Sequence, residues 1–221
     1  MNKAATSAIG RLTLRPAQHA VICLAAGLFA LNSAQAAQEE PWMVRVRAVH
    51  MDMANKSDPI PALGVTDPNT VNVSNKTIPE VDISYFFTPN WATELVLTYP
   101  QKQNLRSGAL DAKVGTLKHL PPTLSLQYHL TGLPGWRPYA GVGVNYTRFS
   151  SVDLPAGVDI QRNSVGPAVG AGFDVPLGDG WLLNVDAKKV WIDTKVSVSG
   201  SRIGTFNVDP WLLGIGIGRR F

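Results

Sequence analysis

The sequence predicts an all-β fold, an eight-stranded antiparallel transmembrane β-barrel of the outer membrane. Three observations predict it. Apolar and polar residues alternate with a period of two in eight segments, short and long connections alternate between those segments, and aromatic residues mark the segment ends. No long stretch shows the apolar stripe of an amphipathic helix, which excludes the helical classes of fold.

The first 36 residues predict a cleaved signal peptide. Basic residues precede an uninterrupted apolar run from Ala20 to Leu31, and the following Ser33-Ala34-Gln35-Ala36 has the small residues of a cleavage site. The twelve apolar residues are too few for a transmembrane helix, which needs about 20. We therefore expect the chain to be exported and residues 37–221 to form one barrel domain.

Composition argues against two other classes of protein. The formal net charge is +4, but the first 36 residues contain three basic and no acidic residues, which leaves 17 basic against 16 acidic residues in the predicted barrel. That balance gives no support for a nucleic-acid partner. The single cysteine, Cys23, lies in the predicted signal peptide, so a disulfide framework is excluded.

The eight predicted strands follow one another with two kinds of connection. Their bounds are Met43–Met51, Ile78–Phe87, Trp91–Tyr99, Thr123–Leu130, Arg137–Phe149, Ser164–Val175, Trp181–Val198 and Arg202–Phe221. The sequence predicts short turns at 88–90, 131–135 and 176–180, long loops at 52–77, 100–122 and 150–163, and a tight last hairpin at 199–201. Short turns on one side and long loops on the other are typical of outer-membrane barrels.

Tryptophan marks the start of every odd-numbered strand. The four residues are Trp42, Trp91, Trp136 and Trp181. They mark one end of each hairpin, as an aromatic belt at a membrane interface requires. The opposite belt is predicted to contain Tyr99, Tyr146, Trp191 and Trp211.

Strands two to four carry apolar residues on one face and polar residues on the other. In strand four, for example, Leu124 and Leu126 alternate with Ser125 and Gln127. Taken alone, this pattern also fits a half-buried soluble sheet, as in a lipocalin-type barrel. Its repetition between two aromatic belts favours a barrel with lipid outside.

The last strand ends the chain on an aromatic residue. Ile215, Ile217 and Phe221 share one face of this strand. Such an ending resembles the recognition signal of proteins inserted by the outer-membrane assembly machinery. We therefore expect that machinery to recognise Phe221, and outer-membrane lipid to surround the barrel.

Three segments resemble the outer membrane protein W family. They are His119-Leu120-Pro121-Pro122-Thr123-Leu124, residues 137–147, and the end of the chain from Asp209-Pro210-Trp211 to Arg220-Phe221. The resemblance implies an eight-stranded barrel whose narrow apolar channel admits small hydrophobic molecules. Members have also been described as minor porins and as receptors for bacteriocins or phages. Residues 38–74 match weakly and the loop 150–163 is short, so no receptor property of the loops is carried over.

Two functions are kept open. The first is a monomeric channel for small hydrophobic molecules, and the second is a nonenzymatic structural or surface-receptor barrel with a packed, non-conducting interior. An enzyme is not expected, because G-x-S-x-G is absent and Ser125 and His129, which share a face, lie about 13 Å apart along a strand. No Gly-x-Gly pair extends to a nucleotide-binding motif, and we expect no cofactor and no metal site.

The predicted export fixes the strand directions, so inward-facing residues can be sorted by depth. The polar lower lumen, near the periplasm, is predicted to contain Arg45, Arg47, Gln127, His129, Asp174, Asn184, Asp186 and Arg220. The solute-lining upper lumen is predicted to contain Val49, Met51, Val96, Phe149, Val190 and Ile192. An eight-stranded barrel is barely wider than its side chains, so the three arginines, paired with Asp174 or Asp186, are expected to occlude the lower half. The upper half is expected to remain an apolar, partly open pocket.

A hydrophobic solute that meets a closed lower lumen needs another exit. Proline has no backbone donor for a strand ladder, and Pro121 and Pro122 fall together in the outer half of a returning strand. A carbonyl left unpaired in hydrocarbon is tolerated only where protein or cavity water satisfies it. The pair therefore predicts a lateral exit into the bilayer, unless the strand begins only after both prolines.

Overall fold

The structure is a computed structural model that describes residues 40–54, 56–59, 71–107 and 112–221, all within one compact unit. The predicted signal peptide lies outside these residues. The described residues form fifteen strands: β1 Trp42–Asp52, β2 Lys56–Ser57, β3 Val71–Val73, β4 Lys76–Phe86, β5 Trp91–Leu97, β6 Gln101–Ser107, β7 Ala112–Leu120, β8 Thr123–His129, β9 Arg137–Asp153, β10 Val158–Ile160, β11 Asn163–Gly178, β12 Trp181–Val190, β13 Asp193–Val198, β14 Ser201–Asn207 and β15 Trp211–Arg220. None of these residues belongs to a helix long and apolar enough to cross a membrane.

Eight of the strands close into an antiparallel barrel, which confirms the predicted fold class. In order around the barrel they are β1, β4, β5, β8, β9, β11, β12 and β15. The first and last strands close the sheet, because β1 pairs with β15 from Met43 opposite Arg220 onward. We call the end that carries Trp42 and Phe221 the terminal end, and the opposite end the loop end.

The outer face of the barrel is apolar between two aromatic belts. Ile215 is 56% exposed and Val142 is 62% exposed on this face, whereas Arg45 is fully buried inside. The exposed aromatic residues are Trp42, Trp91, Trp136 and Trp181 at the terminal end, and Tyr99, Tyr146, Trp191 and Trp211 toward the loop end. An apolar exterior bounded by aromatic belts is the arrangement of a barrel in lipid.

The predicted long loop 100–122 is wrong, because it contains β6 and β7. These two strands form a hairpin in which Gln101 lies opposite His119. Gln101, Gln103 and His119 face inward and are buried, while lysines face outward. Polar residues on both faces remove the apolar period on which the strand prediction depends.

The predicted seventh and eighth strands each break in two near the second aromatic belt. β12 ends at Val190 before β13 begins, and β14 ends at Asn207 before β15 begins. Pro210 has no donor, and Asp209 has a φ of 31°, so the ladder cannot continue through them. The Ile192 backbone N–H donates instead to the Asp209 carboxylate at 2.8 Å, which joins the two breaks. Beyond them, β2, β10, β13 and β14 form a four-stranded sheet at the loop end.

Gly216 in β15 allows the closest contact at the closure of the barrel. A Cβ atom at this position would lie 2.0 Å from the carbonyl oxygen of Val46 in β1. Gly216→Ala is therefore expected to push the two strands apart and to lower the free energy of unfolding by about 1–3 kcal/mol.

Gly214 provides the matched control, since it lies on the same face of the same strand. A Cβ atom there would meet its nearest neighbours at 3.4 Å, an ordinary contact. Urea unfolding of both variants folded in lipid vesicles measures the difference. Equal stability of Gly216→Ala and Gly214→Ala would contradict the close contact.

Candidate functional site

The interior of the barrel is divided by height into a charged layer and an apolar cluster. The ionic layer consists of three cationic and five acidic side chains, all buried: Arg45, Arg47, Lys188, Glu80, Asp82, Glu94, Asp174 and Asp186. They come from β1, β4, β5, β11 and β12. So many charges in a closed space are tolerated only when they are paired and hydrogen-bonded.

Arg45 is the centre of the ionic layer. Its Nη1 donates to Asp82 Oδ1 at 3.0 Å, and its Nη2 donates to Asp174 Oδ2 at 2.9 Å. The same Nη1 lies 3.5 Å from Glu94 Oε2. One guanidinium on β1 thus connects β4, β5 and β11 across the lumen.

Arg47 and Lys188 pair with the other carboxylates of the ionic layer. Arg47 Nη2 lies 2.7 Å from Glu80 Oε1, and its Nη1 lies 3.5 Å from Asp186 Oδ1. Lys188 Nζ donates to Glu94 Oε1 at 2.6 Å. The layer therefore fills the lumen at this height with paired charges, and it leaves no apolar path along the barrel axis.

Most residues of the predicted polar lower lumen face the interior. The buried ones are Arg45, Arg47, Gln127, His129, Asp174, Asn184 and Asp186. Two expected pairs are present, Arg45 with Asp174 and Arg47 with Asp186. Arg220 lies at the mouth of the terminal end, where its Nε donates to the Glu40 carbonyl oxygen at 2.6 Å and its guanidinium lies 4.1 Å from the centre of the Phe86 ring.

Below the ionic layer, the terminal end opens into a vestibule of about 340 Å³. Its apolar lining includes Met43, Phe86 and Leu182, which are buried together. The His129 ring contacts both Phe86 and Tyr139, with ring centroids 4.8 Å apart in each pair. The vestibule and the upper lumen are thus separate spaces on opposite sides of the ionic layer.

Above the ionic layer, the interior is apolar and almost filled. All six residues predicted for the upper lumen are buried here: Val49, Met51, Val96, Phe149, Val190 and Ile192. The cavity between them is about 20 Å³, and about 10–15 Å³ is enough for one water molecule. The expected partly open pocket is therefore wrong for this state of the barrel. Loop-end strands that the sequence does not predict bring Leu105, Leu117 and Ile160 into the same apolar cluster.

His119 lines this cavity from β7, above the second aromatic belt. Burial and the nearby Lys76 lower the pKa of its imidazole to about 4. Its Nε2 lies 3.3 Å from the Gln103 side-chain nitrogen. The imidazole is therefore neutral at neutral pH.

One wall of the upper lumen has an interrupted strand ladder. The ladder between β4 and β5 ends at Val81 opposite Leu97, and the ladder between β3 and β6 begins at Val73 opposite Leu105. Among the described residues, the segment 76–80 therefore pairs with β1 on one side and has no ladder partner on the other side. At this place, no described backbone ladder connects β4 to the segment that joins β5 to β6.

The same joining segment is also interrupted on its other side. The ladder between β5 and β8 ends at Val96 opposite Thr123, and the ladder between β6 and β7 begins at Gln101 opposite His119. We call the residues around both interruptions, 76–80, 97–100 and 120–122, the seam. Four prolines without backbone donors lie in it: Pro79, Pro100, Pro121 and Pro122.

The prediction that Pro121 and Pro122 lie within a returning strand is wrong, because β8 begins only at Thr123. Both prolines lie in the seam, between the end of β7 and the start of β8. Their carbonyl oxygens each accept from Asn145 Nδ2 at 3.1 Å, so the protein itself satisfies these acceptors. Residues of the seam, among them Ile78, Thr98 and Pro121, line the 20 Å³ cavity. The seam therefore adjoins the apolar upper lumen directly.

Four buried residues of the ionic layer are missing from the predicted polar lower lumen: Glu80, Asp82, Glu94 and Lys188. The signal was present, because the period of two places the three acids opposite the apolar face of their strands. Lys188 likewise follows Asp186 by two residues and therefore lies on the same face of its strand. The alternation of faces along a strand identifies an inward position, but it does not identify the partner across the lumen.

One family model and several known proteins match the chain. The model described as OmpW family matches residues 38–221. Outer-membrane protein y4mB of Sinorhizobium fredii is 36% identical over 222 residues, which cover 97% of this chain and 90% of that protein. The dibenzothiophene metabolism operon protein PahQ of Pseudomonas aeruginosa is 30% identical over 207 residues, which cover 90% of this chain and 98% of that protein.

A solved barrel is similar in both fold and sequence. The crystal structure of the outer membrane protein OprG from Pseudomonas aeruginosa has a TM-score of 0.71 and 31% sequence identity to this chain. The likeness covers 86% of this chain and 99% of OprG. Together with the lipid-facing exterior, these similarities locate the chain in the outer membrane of a Gram-negative bacterium, embedded in its lipid.

Proposed function

The chain belongs to the OmpW family of outer-membrane proteins, and from this premise we propose that it admits small hydrophobic molecules at the loop end and releases them sideways into the bilayer through the seam. The observation that carries the proposal is an apolar upper lumen whose wall is interrupted and whose floor is charged. In such an arrangement, the lateral route costs an apolar solute less free energy than the route along the barrel axis.

The ionic layer supports the lateral direction of this route. An apolar solute that moved along the axis would have to separate Arg45 and Arg47 from their carboxylates, and a buried charge without its partner costs several kcal/mol. Through the seam, the same solute passes from an apolar cluster to hydrocarbon. On that path Arg45 and Arg47 keep their carboxylate partners, including Glu80 at the lower edge of the seam.

The solute class is proposed from the lining and from one relative. Most described residues around the cavity are apolar, among them Val49, Val96 and Val190, while Glu80 and Lys188 of the ionic layer also line it. PahQ is named for an operon of the metabolism of dibenzothiophene, an aromatic and apolar compound. We propose that this chain also serves small apolar molecules, and that the apolar cluster separates to make room for them, because 20 Å³ holds none of them.

The filled upper lumen also favours a second candidate function. A nonenzymatic structural or surface-receptor barrel needs a packed interior and no solute path, and the apolar cluster provides such packing. The two candidates differ in a measurable way. A channel loses uptake when the cavity is filled, whereas a receptor loses partner binding when its loops are cut and shows no uptake to lose.

A cavity-filling substitution tests the proposed function. Cells that produce the wild-type protein are expected to take up naphthalene faster than cells without it, and Val96→Trp is expected to return uptake to the level without the protein. Val96 lies at the cavity beside the seam, so an indole there occupies the solute path. The measurement is the initial rate of naphthalene entry at equal amounts of inserted protein.

Leu95 provides the matched control on the same strand. Its side chain is exposed on the lipid-facing side, so Leu95→Trp adds an indole outside the lumen. This variant is expected to keep the wild-type uptake rate. If wild-type cells take up naphthalene no faster than cells without the protein, the channel is ruled out in favour of the packed barrel.

We propose in addition that the chain acts as a monomer and that the assembly machinery recognises Phe221. Closure of β1 on β15 leaves the barrel wall without an edge strand that needs a second copy. Phe221 is exposed at the terminal end, and its backbone exchanges two hydrogen bonds with Trp42. The residue is therefore ordered by the closed barrel while its ring remains accessible.

A further inference from the structure

Three cationic side chains lie together on the outer face, just above the second aromatic belt. We call them the basic cluster: Lys102 on β6, Lys118 on β7 and Arg148 on β9, all exposed. Lys102 and Lys118 are direct cross-strand partners. Arg148 lies opposite Leu120, two residues along the same face from Lys118, and is therefore its diagonal neighbour.

In the part of the chain that the structure describes, none of these three cations belongs to an ion pair. Like charges directly opposite each other in a sheet are destabilising, and β6 and β7 contain no aspartate or glutamate. On the neighbouring segments, Asp153 lies opposite Thr116, two residues from Lys118 along β7, and Asp159 lies 2.7 Å from Arg162 in an ion pair of its own. Three cations beside Asp153 leave the basic cluster with a net positive charge, which an anion from outside the chain would stabilise.

The height of the basic cluster indicates where that anion lies. Tyr146 of the second belt precedes Arg148 by two residues on the same face, and two residues span about 7 Å along a strand. Aromatic belts lie at the level where hydrocarbon meets the lipid headgroups. The basic cluster is therefore at the height of the headgroups of the leaflet that surrounds the loop end.

We propose that the basic cluster binds the phosphorylated headgroup of an anionic lipid of the outer leaflet. The Arg148 guanidinium provides a planar fork that suits two phosphate oxygens, and the two lysines add point charges. The occupant is a lipid rather than a free phosphate, because the wall directly below is apolar. Val142, Val144 and Tyr146 are exposed on the same strand and would contact the acyl chains of the bound lipid.

The position of this lipid connects it to the seam without depending on solute transport. Lys102 follows Pro100 by two residues, and Lys118 precedes Pro121 by three. A lipid held by the basic cluster therefore lies over the loop-end edge of the seam. Its binding is a property of the outer wall, and it is expected whether or not the barrel conducts a solute.

Binding of lipid A, a phosphorylated glycolipid, tests the proposal. The full-length protein in phosphatidylcholine nanodiscs is titrated with lipid A, and bound lipid is counted by native mass spectrometry. Each surface cation near a charged lipid contributes about fivefold in affinity, so Lys102→Gln, Lys118→Gln and Arg148→Gln together are expected to weaken binding roughly 100-fold. If the triple variant does not fold, Lys118→Gln alone is expected to weaken binding about fivefold.

Lys195 and Arg202 provide a control that removes two cations from another place. Both are exposed cations at the loop end, on β13 and β14, outside the basic cluster. The variant Lys195→Gln with Arg202→Gln is expected to bind lipid A as the wild type does. Equal binding by the triple variant would overturn the proposal, and so would lipid A without its phosphates binding as tightly as intact lipid A. Inorganic phosphate that binds as tightly as lipid A would overturn the assignment to a lipid.

Discussion

Replacement of Arg45 by methionine is expected to lower the free energy of unfolding of the barrel by about 3–5 kcal/mol. Methionine keeps much of the side-chain volume but removes the cation that pairs with Asp82 and Asp174 and lies near Glu94. Those carboxylates then remain buried with too little positive charge around them. Urea titration of the protein folded in lipid vesicles, followed by tryptophan fluorescence, measures the change.

Two further variants separate this effect from a general loss of arginine. Arg202→Met removes an exposed arginine of β14 and is expected to change stability little. Adding Asp174→Asn to Arg45→Met is expected to restore part of the lost stability, because it removes one of the uncompensated charges. This double variant also tests the idea if Arg45→Met alone does not insert. Arg45→Met with the stability of Arg202→Met would contradict the central role of Arg45.

Replacement of both Pro121 and Pro122 by valine is expected to slow delivery of naphthalene to the bilayer by roughly 30-fold. Valine restores two backbone donors, and each new hydrogen bond contributes about 1 kcal/mol to the closed state of the seam. The shift in the opening equilibrium, about 2 kcal/mol, corresponds to that factor. The rate of naphthalene entry into cells, at equal amounts of inserted protein, is the measurement.

Pro167 provides the control for this double substitution. It is exposed on β11, in a part of the wall whose ladder to β9 is continuous, and it lies opposite Val144 there. Pro167→Val is expected to leave delivery unchanged. A Pro121→Val, Pro122→Val protein that is more stable than the wild type but delivers naphthalene at the same rate would rule out an exit at this place.

The part of the fold between the two aromatic belts could be predicted from the sequence, and the loop end could not. In lipid, the outward residues of a strand must be apolar, so strands such as β8 and β15 show a clear period of two. Above the belts, water takes the place of lipid and this constraint is lost. β6 and β7 are stabilised by pairing with each other and with β9, which the composition of either strand alone does not show.

The sequence identifies many of the residues that face the interior, but not the ion pairs that they form or the volume of the upper lumen. The alternation of faces along β1 places Arg47 inside. Its short contact with Glu80 depends in addition on the register between β1 and β4, in which these two residues lie opposite each other. The volume of the upper lumen depends on side chains from several separate strands. Ile160 of β10, for example, belongs to a three-residue strand with no periodic signal, yet it helps to fill the lumen.

The contacts of the ionic layer have a consequence for the order of folding. Arg45 and Asp174 are 129 residues apart in the chain, and Lys188 and Glu94 are 94 residues apart. Contacts between residues so far apart in the chain form late in folding. Until such a contact forms, an unpaired charge inside the bilayer raises the free energy of the chain. The hairpin of β1 and β4 pairs Arg45 with Asp82 and Arg47 with Glu80 within itself. The charges of Glu94, Asp174 and Lys188, in contrast, gain their partners only when the barrel closes, so closure and the last step of charge neutralisation are a single cooperative event.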